Sequence, residues 1–240
     1  MDFKKNDFNE IYNQPTPDSY ISQLGRLNYR NDDFVYGPLL KQMEIYTKQR
    51  GECKIIDVAC SYGFNGRIAK YRVPYGNWDE KSSPFANNIC NVIGIDVSDR
   101  ALAYALKENY IDYLICQNLE EEELKEENFN LLSNTDLIVA SGAFSYVGVK
   151  TFSKIYSHPE NKADFIGWPT CSFDKNELLS FLEKEFDRVE IHPEVFPMRN
   201  FASNYERDSY FENLKIHNPE YMNKSHNALS VFQINAYGKR

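Results

Sequence analysis

Five short apolar runs recur between Lys54 and Trp168: KIIDV, NVIGIDV, YLIC, TDLIVAS and ADFIGW, each four to seven residues long. Their apolarity is nearly continuous rather than alternating, as expected of strands covered on both faces in a parallel sheet. Helical patterns lie between and after them. Ser98 to Asn109 offers Ser98 as N-cap and Leu102, Ala105 and Leu106 as one apolar face. Asp174 to Phe186 carries a capping box, Asp174 with Glu177, ahead of Leu178, Leu179 and Leu182. Two late stretches, RVEIHPEVF from Arg188 and ALSVFQINAY from Ala228, read as strands added at one edge, with no helix expected between them.

Two helices precede the first run. One follows Pro17 with Thr16 as cap and Tyr20, Leu24 and Leu27 on one face. The second starts at Pro38, turns Leu39, Leu40, Met43 and Tyr46 inward and stops at Gly51. Two segments break the rhythm: Arg72 to Asn91, rich in Pro, Gly, Ser and Asn, and Met198 to Asn227, polar and studded with aromatics. Long irregular connections of this kind are commonly lids or binding loops. The predicted architecture is α/β: a doubly wound, mostly parallel, seven-stranded sheet over 51–240, with insertions at about 72–91 and 198–227. Residues 1–50 form an N-terminal helical arm that covers the site as a lid.

Composition narrows the field. The chain has 240 residues, 42% hydrophobic and 26% charged, enough for one large domain. It holds no apolar run of membrane-spanning length. Nor do its first ten residues contain a signal core, so the expectation is a cytoplasmic protein that binds no membrane. A net charge of -8 without a basic block argues against a nucleic-acid partner. The cysteines, Cys53, Cys60, Cys90, Cys116 and Cys171, are scattered without a Cys-x-x-Cys pair and read as small buried hydrophobes, and no metal site is expected. The acidic run Glu120 to Glu123 reads as a solvated helix start.

The chemistry gathers at the ends of the runs. In an open parallel sheet the ligand crevice lies at the carboxyl ends of the strands. The first run leads into DVACSYGFNG, where Ala59, Ser61 and Gly63 keep side chains away so that backbone can approach a ligand. Asp57 opens that loop, and a loop built for phosphate would not begin with a carboxylate. The second run ends at Asp96, where a carboxylate can accept both hydroxyls of a ribose. About forty residues separate the two acids, twice the spacing of a dinucleotide fingerprint, and the inserted segment accounts for the excess. The third run leads to Asn118 and Leu119, suited to the edge and face of an adenine, and the fourth runs out at Ser141 and Gly142. Four strand ends in order describe one nucleoside crevice.

The series DVACSYG, GIDVS, QNLEE and DLIVASG resembles the motifs of class I S-adenosylmethionine-dependent methyltransferases, over about Lys54 to Phe173. The resemblance implies S-adenosyl-L-methionine as cofactor. It implies that Asp57, Ala59, Ser61 and Gly63 serve the methionyl end, where an acid suits a cationic ligand. Asp96 and Val97 then take the ribose, Asn118 and Leu119 the adenine, and Ser141 and Tyr29 complete the set. The chain departs from the family pattern at Ala59 and Ser61, which replace glycines, at Asn118, which replaces an acid, and in the long insertion.

No histidine or cysteine stands at the fourth-strand exit, where Phe144 and Tyr146 are the notable side chains, with Tyr20 from the arm as a third candidate. Aromatic faces hold a sulfonium or an ammonium by cation–π attraction. The motifs of adenine- and cytosine-modifying members are absent there, so a small-molecule acceptor, an amine, is expected. Three alternatives stay open. One is internal displacement within the cofactor to release methylthioadenosine, as in an azetidine-2-carboxylate-type synthase. The others are a nicotinamide-dependent oxidoreductase and a non-catalytic cofactor-binding protein.

Overall fold

A computed structural model describes residues 9–74, 90–144, 146–225 and 227–240. The five apolar runs form parallel strands β1 (Cys53–Val58), β2 (Cys90–Asp96), β3 (Tyr113–Cys116), β4 (Leu137–Ser141) and β5 (Asp164–Trp168). The late stretches form β6 (Phe186–Arg199) and β7 (Leu229–Lys239). The seven strands lie in the order β3-β2-β1-β4-β5-β7-β6, with β7 antiparallel to both neighbours. Every residue of β1 but Lys54, and all of β4 up to Ala140, is buried, as continuous apolarity predicts. The chain leaves β1 toward β2 and β3 on one side and reaches β4 and β5 on the other. The topological switch point is therefore the gap between the carboxyl ends of β1 and β4.

The helices are α1 (Asn9–Tyr12), α2 (Asp18–Arg26), α3 (Asp32–Arg50), α4 (Phe64–Tyr71), α5 (Asp99–Lys107), α6 (Glu126–Phe129), α7 (Val149–Tyr156), α8 (Lys175–Glu185) and α9 (Asn204–His217). Several differ from expectation for local reasons. Pro17 is the N-cap of α2, and Thr16 donates its hydroxyl to the Asp18 carboxylate rather than capping the helix. Helix α3 begins at Asp32, six residues before Pro38, because Phe34 and Val35 extend the buried stripe of Leu39, Met43 and Tyr46. Burying two further side chains outweighs the single backbone bond that an internal proline removes. Gly51 ends α3 at φ +82°, as its position predicts.

Ser98 caps α5 by accepting from the Ala101 amide at 3.2 Å, but the seated face is Ala101, Leu102 and Ala105, and Leu106 in the last turn is exposed. Asp174 caps α8 through the Asn176 amide, so the reciprocal box with Glu177 is not made, and Leu179 is half-buried beside buried Leu178 and Leu182. Between β6 and β7, where no helix was expected, α9 takes up fourteen residues. Its buried positions are Glu206, Tyr210, Asn213 and Leu214, and two polar residues in that stripe hide it from a hydrophobic count. Four cysteines are buried, but Cys116, at the end of edge strand β3, is exposed. Of the expected insertion, residues 75–89 lie outside those described.

The 1–50 arm divides in two. Helix α3 packs Phe34, Val35, Leu39, Met43 and Tyr46 into the same core as the sheet. Ile11, Tyr20 and Leu24 instead form a separate cluster with Tyr62, Phe64 and Ala101, over the carboxyl ends of the strands. Among the described residues no helix is long and apolar enough to cross a membrane.

Candidate active site

The turn after β1 is built from three residues at positive φ: Ala59 at +54°, Ser61 at +50° and Gly63 at +79°. Strand β2 holds it in place. The Cys60 amide donates to the Ile95 carbonyl at 3.2 Å, and the Ser61 amide donates to Asp96 Oδ2 at 2.8 Å. Asp96 Oδ1 also accepts from the Ser98 amide at 2.9 Å, so this carboxylate ties the loop to the start of α5. Burial pushes the Asp96 carboxyl up, and the amides of Ser98 and Ser61 oppose that rise. The Ser61 hydroxyl is buried and has no hydrogen-bond partner among the described residues.

Above this loop lies a cavity of about 510 Å³. Its walls bring together Ala59, Ser61, Asp96, Val97, Asn118, Leu119 and Ser141 of the expected cofactor set, at the carboxyl ends of the first four strands. Tyr20 and Tyr29 of the arm and Tyr146 of the loop after β4 face them. Leu119 and Ile95 are buried, and Val97 is exposed at the lip. Asn118 turns its side-chain oxygen onto the Glu120 amide at 3.1 Å. Part of the acceptor capacity expected for an adenine amino group is thus used within the turn.

Three expected site residues do not line the cavity. Asp57 lies fully buried beneath the floor, where Oδ1 accepts from Asn65 Nδ2 at 2.8 Å and Oδ2 has no partner among the described residues. Burial raises its carboxyl to about 7, the Asn65 bond opposes this, and the charge of Asp96 adds to it. Asn65 Nδ2 also donates to Ser141 Oγ at 3.0 Å, so this relay links the acid to the cavity wall. Gly63 faces away: a Cβ there would lie 2.8 Å from Ala105 Cβ and 2.9 Å from Tyr110 Cβ. Its glycine serves the seating of α4 against α5, in addition to its backbone conformation. Phe144 is buried among Phe152, Phe165 and Phe173, with ring centroids 5.6 to 6.5 Å away, and presents no face to the cavity.

Sequence reasoning missed Tyr12, Glu120, Met198 and Arg199, all of which line the cavity. Arg199 and Glu206 form a buried bidentate pair, at 2.8 and 2.6 Å, and nothing in their spacing marks β6 as part of a site. Tyr12 and Tyr29 each share a side-chain hydrogen bond with Tyr20. Burial raises the Tyr29 phenol to about 12, against the lowering charge of Arg199. The arm is pinned across this wall by backbone: the Arg30 amide donates to the Met198 carbonyl at 2.8 Å, and the Asn200 amide to the Leu27 carbonyl at 2.7 Å. Tyr62 donates to the Ile11 carbonyl at 3.0 Å, and Ser98 Oγ to the Tyr12 carbonyl at 2.9 Å.

No protein-family model matches the chain, and no curated protein matches it in sequence. Solved structures do. WbdD, solved with a kinase inhibitor, superposes with a TM-score of 0.54 at 11% identity, over 95% of this chain and 44% of that one. A TehB-like S-adenosylmethionine-dependent methyltransferase from Corynebacterium glutamicum gives 0.45 at 11% identity, over 83% and 87%. Phosphoethanolamine N-methyltransferase 2 from Haemonchus contortus gives 0.46 at 13%, over 83% and 52%. The chain thus spans about half the length of two of these three proteins. The likeness to WbdD shows the fold alone, and the strand order with its antiparallel β7 makes that fold the class I methyltransferase-like α/β sheet that the sequence predicts.

Proposed function

We propose that the cavity binds S-adenosyl-L-methionine and that the protein transfers its methyl group to a small-molecule amine. One observation carries the reading: a single cavity at the switch point gathers Asp96, Ser61, Asn118, Leu119 and Ser141 from four successive strand ends. Its volume lies in the range of small-molecule and cofactor sites. The residues present fit the group. Asp96 is placed to accept a ribose hydroxyl, Ile95 and Leu119 supply apolar surface for an adenine, and the unpartnered Ser61 hydroxyl is a donor in want of an acceptor. Asp57 supplies negative charge behind the methionyl end without touching it.

When bound, S-adenosylmethionine supplies an electrophilic methyl carbon on a sulfonium. The protein's own work is to position an acceptor nitrogen in line with that carbon and to keep water away. Tyr12, Tyr20, Tyr29 and Tyr146 form the wall for this purpose, since aromatic faces attract cations without competing as nucleophiles. Helices α1 and α2 act as the lid, and α3 belongs to the body beneath it.

The same aromatic wall serves a second reading, in which the cofactor's own amine displaces methylthioadenosine from its side chain. Mass spectrometry of the nucleoside product separates the two. S-adenosylhomocysteine formed only with an added amine supports methyl transfer. Enzyme-dependent methylthioadenosine without acceptor supports displacement, and tighter binding of NADH than of S-adenosylhomocysteine overturns both.

A further inference from the structure

Glu120 lines the cavity, next in sequence to Asn118 and Leu119, and Tyr146 lines it too. It is half-buried, and the expectation of a solvated helix start does not hold for it. One of its oxygens is fully engaged: Oε1 accepts from the Gly148 amide at 2.7 Å, the Thr151 amide at 3.2 Å and the Thr151 hydroxyl at 2.6 Å. This is a cap on α7 delivered from 28 residues away, and it fixes the carboxylate in space. The cap needs one oxygen. Among the described residues Oε2 has no hydrogen-bond partner, and no Lys or Arg pairs with Glu120.

The surroundings decide what Oε2 would take. The guanidinium on this cavity, Arg199, is already held by Glu206. The rest of the lining includes Tyr12, Tyr20, Tyr29 and Tyr146, apolar Leu119 and Val147, and the carboxylate of Asp96. A rigidly held carboxylate oxygen on a cavity that tyrosines also line favours a cation that carries N–H donors. We propose that Glu120 Oε2 is the counter-ion of the acceptor, which enters as a protonated aliphatic amine and lies against Tyr146. The amine gives one N–H proton to Oε2, so that the freed nitrogen lone pair takes the methyl carbon as its bond to the sulfonium sulfur breaks. The proposal rests on the methyltransferase reading and names its substrate class.

The test uses the whole protein saturated with S-adenosylhomocysteine and titrated with n-propylammonium chloride. n-Propanol serves as the uncharged isostere and sodium chloride as the salt control. Tyrosine fluorescence and thermal shift are the readouts, so no turnover is needed. The wild type should respond to propylammonium and not to propanol or salt. Glu120→Gln keeps an oxygen for the α7 cap and should keep S-adenosylhomocysteine affinity, while amine affinity falls about tenfold or more. Tyr146→Leu, at an exposed position with little folding risk, should weaken the amine roughly threefold or more. Wild-type amine affinity in either variant, an equal response to propanol, or no amine response in the presence of S-adenosylhomocysteine overturns the proposal. Failure of the wild type to bind S-adenosylhomocysteine at all overturns the cofactor reading instead, and the proposal with it.

Discussion

Asp57 is a buried acid whose placement costs the folded state, and the cost can be measured through pH. Its carboxyl rises from the ordinary 3.8 to about 7, chiefly by burial, and one of its oxygens has no partner among the described residues. Roughly three units at about 1.4 kcal/mol each make ionisation cost the fold about 4 kcal/mol as an upper figure. The sign follows from the direction. A carboxyl whose pKa is higher folded than unfolded favours the fold fully below 3.8. That contribution is lost as pH rises toward 7, and the curve is flat above it. Asp57→Asn removes the titration while keeping an oxygen for Asn65. The ligand-free variant should therefore melt above the wild type at pH 8, by about 2–4 kcal/mol or roughly 5–12 °C for a domain of this size. The difference should shrink as pH falls through 5. Asp96 titrates in both proteins, so its part largely cancels. Thermal melts of both proteins across pH 5 to 8 are the assay, and a difference that does not change with pH refutes the reasoning. A cationic ligand should relieve the same cost, so affinity for S-adenosylmethionine, whose sulfonium carries the charge, should rise in the wild type with pH through 7 and lose that dependence in the variant.

Asp96→Ala should weaken S-adenosylhomocysteine by about 1.5–3 kcal/mol in calorimetry and also lower the melting temperature, because the Ser61 and Ser98 amides lose their acceptor; equal affinity removes Asp96 from the site. Gly63→Ala should cost about 2–4 kcal/mol in urea unfolding, combining left-handed backbone strain with overpacking against Ala105 and Tyr110; a cost of about 1 kcal/mol, the strain without the overpacking, would show that α4 yields readily. In hydrogen exchange, added S-adenosylhomocysteine should protect α2 and the turn to Arg30 and leave α3 unchanged. Equal protection of both helices would make the arm one body, and no change in residues 15–36 would leave Tyr20 and Tyr29 as packing residues.

The local signals in this chain were the ones that could be read without the fold. Continuous apolar runs mark buried strands because burial on both faces leaves no polar alternation, and this fixes β1 to β5 and the crevice at their ends. Small residues in a turn and an acid at a strand end are local too, and the structure brings Ala59, Ser61, Asp96, Asn118, Leu119 and Ser141 into one cavity. Facing was not legible. Whether Asp57 meets the ligand or lies beneath the floor depends on Asn65, eight residues on in the helix that packs over it. Phe144 is adjacent in sequence to the cavity loop yet turns into a cluster from α7, β5 and the segment after it. Buried polar side chains also erase periodicity: Glu206 and Asn213 conceal the inward stripe of α9, and with it the partner that holds Arg199 at the cavity. Glu120 belongs to an acidic run that looks solvated, and only the approach of α7 turns it into a cap with one oxygen to spare. Strand identity follows from what each residue is. The direction a side chain takes is decided by neighbours tens of residues away, and sequence spacing carries no record of them.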